Sequence, residues 1–406
     1  MAIDPDVQIL LDEINQKITN IPAPSAGATG PSGSTGPQGA TGATGTAGTS
    51  TGGGGSVAKD PTLIAASNAS AEVKALAKYV ATGVNDHNLI NQVIAEAALP
   101  TRLGEVKLSG GTFNVGGSLV MTTGVWLHGA GVLTEIKSNK ITALAGYAAE
   151  PAVITNKDKG DHFMRVSDLW LNGNYTAGGT AHGIGFRCSG GSGSRNETPD
   201  SNPDPDITIH DVYISGFMGG TRHGILMDTD CRGSLIDRIQ IRKCSGNGIW
   251  MKDSPDSHLS NIHIGGAAKA GFKSTGGNVK FTSCKAYYCD EYAFSLESGR
   301  AGLAACEAQD SANGFYFGAA EIVASSLIAD TSKDDSFVIN SDRVQLSAAS
   351  AFNRGNGRYP TTARGFALNG KAAITVTGTA NKVTTAVSGT GTGFIRIVGQ
   401  TNYSVG

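Results

Sequence analysis

The sequence predicts a mainly β chain. Its body is a right-handed single-stranded parallel β-helix with rungs of about 22 residues, preceded by a short trimeric coiled coil and a collagen-like triple helix. Three observations predict this: a strict Gly-X-Y run near the start, a heptad seam just before it, and an internal repeat through the second half.

The Gly-X-Y run places glycine at 27, 30, 33, 36, 39, 42, 45 and 48. Only glycine fits at the crowded axis of three wound chains, so 27–50 reads as a stalk that a single chain cannot build. Ahead of it, Val7, Leu11, Ile14, Ile18 and Ile21 alternate in spacings of 4 and 3. Isoleucine at both seam positions favours three strands. An ordinary amphipathic helix would show the same seam, but its place directly before a collagen repeat favours the trimer. Residues 1–26 are thus a coiled-coil and attachment segment, 27–50 the stalk, and 51–60, opening Thr51-Gly-Gly-Gly-Gly-Ser56, a flexible linker.

Composition excludes several function classes. A net charge of −2 over 406 residues makes no electrostatic case for nucleic acid. No apolar run is long enough to insert in a membrane. The first residues, Met-Ala-Ile-Asp-Pro-Asp, carry acids where a secretion signal needs bases, so no signal peptide is expected. Six cysteines (188, 231, 244, 284, 289, 306) show neither CxxC pairing nor metal-ligand spacing. They read as buried free thiols, with no metal site and no cofactor implied.

Two helical patterns follow the linker, within a cap segment at 61–104. Residues 70–80 carry Val73, Leu76, Ala77 and Val80. Residues 87–98 carry Leu89, Ile90, Val93, Ile94 and Ala97, with Asn85 or Asp86 as N-cap. From 105 to 406 the chain becomes short β-rich segments and turns, ending in closing strands at 372–377 and 394–398.

The repeat aligns His182-Gly-Ile, His223-Gly-Ile, Asn247-Gly-Ile, Ala270-Gly-Phe, Tyr292-Ala-Phe, Asn313-Gly-Phe, Asp335-Ser-Phe and Arg364-Gly-Phe, with gaps of 41, 24, 23, 22, 21, 22 and 29. The third residues, Ile184 to Phe366, form an inward column. The recurring middle glycine reads as a turn requiring positive φ. A second column runs Leu169, Val212, Ile239, Ile262, Cys284, Cys306, Ser326 and Ala349. Strand alternation then sets Leu226, Trp250, Lys273, Ser295, Tyr316, Val338 and Ala367 outward, and Met227, Met251, Ser274, Leu296, Phe317, Ile339 and Leu368 inward. The polar insertion 188–206 reads as a loop. His182 and His223 share one repeat position, where hydrogen bonding at a turn outweighs a metal pair.

Four segments, Ala66-Ser-Asn-Ala69, Ala75 to Asp86, Gly110-Gly-Thr-Phe-Asn-Val115 and Gly124-Val-Trp-Leu-His-Gly-Ala-Gly131, resemble the opening of pectate-lyase-like β-helix proteins of phage tail fibres and tailspikes. With the repeats, the resemblance covers roughly 61–400. It implies a homotrimeric virion tail component, attached to other phage tail or baseplate proteins through residues 1–26 and binding host surface polysaccharide. It says little of chemistry, since the superfamily includes lyases, hydrolases and binding-only members.

Candidate site residues concentrate around Trp250. Asp228, Asp230, Asp253 and Asp256 flank it and could supply the paired carboxyl groups of a glycosidase. Trp250, Tyr316, Lys252, His258 and Glu297 are candidates for glycan contact. The same acids would serve equally as solvated turn residues, with Trp250 packed against a neighbouring subunit. Three functions follow: a binding fibre, a polysaccharide depolymerase (hydrolase or lyase), or a collagen-like surface filament such as a spore-coat protein.

Overall fold

The computed structural model describes residues 60–98, 104–141, 150–158, 160–175, 181–188, 206–341, 343–369, 374–381, 383–389 and 394–397. The heptad seam, the Gly-X-Y run and most of the insertion after Cys188 lie outside the described residues.

The described chain coils into about ten turns of a parallel β-helix. Every rung pairs in parallel with the next, as the crossovers of a right-handed solenoid require. An eleven-stranded first sheet runs from Leu119–Met121 through Ile225–Thr229, Ile249–Asp253, Phe272–Ser274 and Tyr292–Leu296 to Val383–Gly389. Two further sheets share long strands such as Leu235–Cys244, which pairs through Leu235–Asp237 on the second sheet and through Gln240–Cys244 on the third.

The bend between the second and third sheets is a single left-handed residue in each rung. Asp168, Asp211, Arg238, Asn261, Ser283, Ala305, Ser326 and Ala348 all have φ of 50–55°. The left-handed region costs a non-glycine residue roughly 1 kcal/mol or more, repaid by the hydrogen-bonded rungs on both sides. This bend corrects the second column. Cys306 is followed in register by Leu327, which is fully buried, and Ser326 is the bend itself.

The first column stands as read: Ile184, Ile225, Ile249, Phe272, Phe294, Phe315, Phe337 and Phe366 pair rung to rung. The five phenylalanines stack nearly parallel with centroids 4.7–5.1 Å apart. Sheet spacing forces that separation, since strands lie about 4.8 Å apart. The glycine before this column is a different matter. Gly183, Gly224, Gly248, Gly271 and Gly314 do not have positive φ. A Cβ on Gly248 would lie 2.5 Å from Ile264 Cγ2 and 2.7 Å from the Gly271 carbonyl oxygen. Close packing, not backbone handedness, demands glycine there.

The helical cap is shorter than its pattern. A helix, α1, spans only Ala71–Leu76, and Ala77–Val80 is a strand pairing with Asp60–Ala65. A second helix, α2, spans His87–Ala97 and buries Ile90, Val93 and Ile94 over the first rungs. Asp86 precedes it without capping it. Its carboxylate instead accepts from the N–H groups of Gly83 (2.8 Å) and Asn114 (2.9 Å), tying the cap to the solenoid. All six cysteines are free and buried. Burial pushes the Cys244 and Cys289 thiols up to about 12, which leaves them un-ionised at neutral pH. No described helix is long and apolar enough to cross a membrane.

Candidate functional site

The outward face of the first sheet carries the candidate residues that centre on Trp250. Trp250 sits there half-buried between Leu226 and Lys273 in register. Its indole N–H donates to Thr275 Oγ1 at 3.2 Å, and the Thr275 hydroxyl donates to the Lys252 carbonyl at 2.8 Å. These bonds fix the ring plane. The His223 ring meets it edge-on at 5.1 Å.

Two ammonium groups flank that ring: Lys273 Nζ at 5.5 Å and Lys252 Nζ at 5.7 Å from its centroid. Each has a carboxylate partner on a neighbouring rung. Lys273 pairs with Glu297 at 2.8 Å, whose Oε1 also accepts the Ser295 hydroxyl at 2.9 Å. Lys252 pairs with Asp228 at 2.7 Å, and Arg187 approaches the other oxygen of Asp228 at 3.9 Å. Lys252 is 47% exposed, so its pair is worth only about 0–1 kcal/mol of stability. The arrangement serves to hold charges in place around an aromatic ring rather than to stabilise the fold.

The structure brings some candidate residues together and separates others. Trp250, Lys252, Asp228 and Glu297 form one cluster. Tyr316 lies on the same sheet, beyond Lys273 and Ser295 in the ladder, with its ring folded beside Gly318, and its hydroxyl accepts from Asn340 Nδ2 at 3.2 Å. His258 does not join them: it lies on the second sheet, in register between Leu235 and Lys280. Asp256 is the left-handed residue of the turn between the sheets, φ 58°, and accepts from Asn278 Nδ2.

The four aspartates are likewise divided. Asp228 is buried and committed to Lys252, and Asp230 pairs with Arg232 at 3.4 Å. Asp253 ends its strand exposed, opposite Thr229 in register. Lys273, Thr275 and Arg187 were not among the expected site residues. All three could have been found from the repeat: Lys273 follows Trp250 in the outward column, and Arg187 and Thr275, three residues beyond Ile184 and Phe272, share the repeat position of Asp228 and Lys252.

Beside this cluster, His182 and His223 stack at 4.8 Å and do the hydrogen-bonding work expected of them. His182 Nδ1 accepts the His223 N–H at 2.9 Å, and His223 Nδ1 accepts the Asn247 N–H at 2.8 Å. His182 Nε2 meets Glu150 Oε2 at 2.7 Å. Among the described residues, no group of three or more His, Cys, Asp or Glu side chains is arranged to hold a metal ion.

Residues 206–327 match the family model of the right-handed β-helix region. The described solenoid extends that fold on both sides. No curated protein matches the sequence. Among solved structures, the A-module of the mannuronan C-5 epimerase AlgE4 from Azotobacter vinelandii is similar at 17% identity, covering 79% of this chain and 96% of that one, with a TM-score of 0.50. The enzymatically active domain of tailspike protein 2 from bacteriophage CBA120 is similar at 15% identity, covering 72% of this chain and 45% of that one, with a TM-score of 0.52. Both likenesses are of fold.

Proposed function

We propose that this protein is a trimeric phage tail fibre or tailspike component that binds host surface polysaccharide on the outward face of its first sheet. One observation carries the reading: a half-buried tryptophan with its plane fixed by Thr275, flanked by Lys252 and Lys273, with Asp228 and Glu297 as their partners. A sugar ring stacks on an aromatic face, and its hydroxyls find donors and acceptors in the surrounding charges. The lysine contacts do not block this, since an exposed cation–π contact is worth only about 0.5–1 kcal/mol. The enzymatically active domain of a phage tailspike among the structural neighbours supports the phage-tail setting for this fold. The Gly-X-Y run and heptad seam at 7–50 support three copies, which would multiply weak sugar contacts into firm attachment.

The test has two arms. Light scattering of the intact chain gives three times the 41.5 kDa protomer if the reading holds; a monomer with residues 1–50 intact refutes it. Incubation with host surface polysaccharide gives retention on the polymer without new reducing ends or an unsaturated product. Appearance of either product assigns depolymerase activity instead, with the exposed Asp253 as the first carboxylate to replace.

A further inference from the structure

The second sheet holds a notch that nothing above uses. Along its outward face Lys280, Gly302 and Val323 follow one another in register, as do Thr282, Ala304 and Ser325. Gly302 and Ala304 are the small members of both ladders, so a full-sized side chain is missing between two walls. The depression has a volume of about 360 Å³, within the range of about 300–1,000 Å³ for small-ligand sites. Lys280 and Thr282 form one wall, Val323 the other, and Asn278 and Arg300 stand at the rim.

Its charge is lopsided. Lys280 has no carboxylate partner within 4.0 Å among the described residues. Arg300 and Arg343 share a single one, Glu321, at 3.1 and 3.9 Å. Asp256, a rung away, accepts from Asn278. The floor makes room without strain: a Cβ on Gly302 would meet nothing closer than Lys280 Cγ at 3.7 Å, and Gly302 is not in the positive-φ region. Crowding does not require glycine here, in contrast to Gly248.

We propose that this notch binds a carboxylate-bearing sugar residue, a uronic acid unit, on a face separate from Trp250. The pyranose ring lies over Gly302 and Ala304 against Val323, and its carboxylate meets the Lys280 ammonium and the Arg300 guanidinium. A charge-assisted pair of this kind selects strongly for the acid over a neutral sugar. The inference rests on the reading of the protein as a glycan binder.

The experiment is calorimetric titration of the full chain with a galacturonic acid hexamer and with the same hexamer after carboxyl reduction. The acid form is expected to bind at least about tenfold more tightly than the reduced form, and Gly302→Leu and Lys280→Gln each to weaken it about tenfold. Equal affinity for the two hexamers, no binding of the acid form, or unaltered binding by both variants overturns the proposal. Trp250→Ala is titrated in parallel. If it alone weakens binding, the first sheet holds the sugar and the notch does not; if only the notch variants do, the notch stands as a site separate from Trp250, whose own role adsorption to host polysaccharide decides. A Gly302→Leu variant that changes the mass in light scattering while binding the hexamer normally makes the notch a contact between copies, which also overturns it.

Discussion

His182 Nδ1 accepts the backbone N–H of His223 while the two rings stack 4.8 Å apart, and His223 Nδ1 in turn accepts the Asn247 N–H, so each ring is tied to the rung that follows it. Burial, and then the neighbouring His182, push His223 down to about 3; Glu150 opposes this, and Lys269 adds to it. A histidine whose folded value lies below its unfolded value of about 6.5 contributes stability that is fully present above that value. That contribution is lost as pH falls from about 6.5 toward 3, up to a ceiling of about 5 kcal/mol.

Asn247 suggests the test, because its Oδ1 accepts the Ala270 N–H at 3.1 Å from the equivalent position of the next rung. His223→Asn should keep the hydrogen bond and remove the titration. Melting temperature followed from pH 7 to pH 4 is expected to fall less steeply in the variant than in the parent. Parallel curves would refute the assignment.

Phe315 stacks between Phe294 and Phe337 and is fully buried. Phe315→Ala removes two ring contacts and leaves a cavity in a solenoid that cannot collapse across its fixed rung spacing. A loss of about 3–5 kcal/mol in denaturant unfolding is expected, and of roughly 1 kcal/mol for Phe315→Leu. A cost below about 1 kcal/mol for the alanine variant would show that the rungs relax around the gap.

Gly248 and Gly302 offer a paired comparison. Alanine at 248 drives a Cβ to 2.5 Å from Ile264 Cγ2, while alanine at 302 has no neighbour within 3.7 Å. Gly248→Ala should destabilise by about 1–3 kcal/mol. Gly302→Ala should be neutral or stabilise by about 0.4–1 kcal/mol through the unfolded chain. Equal effects on the urea midpoint would contradict the packing argument.

Trp250→Ala should weaken adsorption to host polysaccharide about tenfold or more, and Trp250→Phe by less, because the ring face remains while the Thr275 bond is lost. Melting temperature separates this from misfolding: Trp250 packs on the outside of the first sheet, so the alanine variant should melt within a few degrees of the parent. Unchanged adsorption in a folded variant would remove Trp250 from the binding surface.

Much of the solenoid was legible in the sequence because its period is short and its interior unforgiving. The column from Ile184 to Phe366, the alternation of Met227 and Met251 with their outward neighbours, and six buried thiols all follow from which residues tolerate a dry core between rungs. Two of the readings that failed locally share a cause. Ser326 was placed in the core although Leu327 occupies it, and α1 was drawn through Ala77–Val80, because short-range periodicity does not mark where a strand bends or begins.

The inward column was thus determined by sequence alone; that Leu226, Ser295, Val338 and Ala367 of the outward column are buried as well, and which of three faces an outward residue joins, was not. The faces are divided by single left-handed residues that share no side-chain type, Asp168, Arg238, Ala305 and Ser326 among them. Only the coiled backbone pairs Lys273, beside Trp250, with Glu297, and sends His258, eight positions along, to another sheet beside Lys280. Hydrophobic burial selects the core residue by residue. The sharing of a surface depends on contacts between rungs some 22 residues apart, and those exist only once the strands have paired.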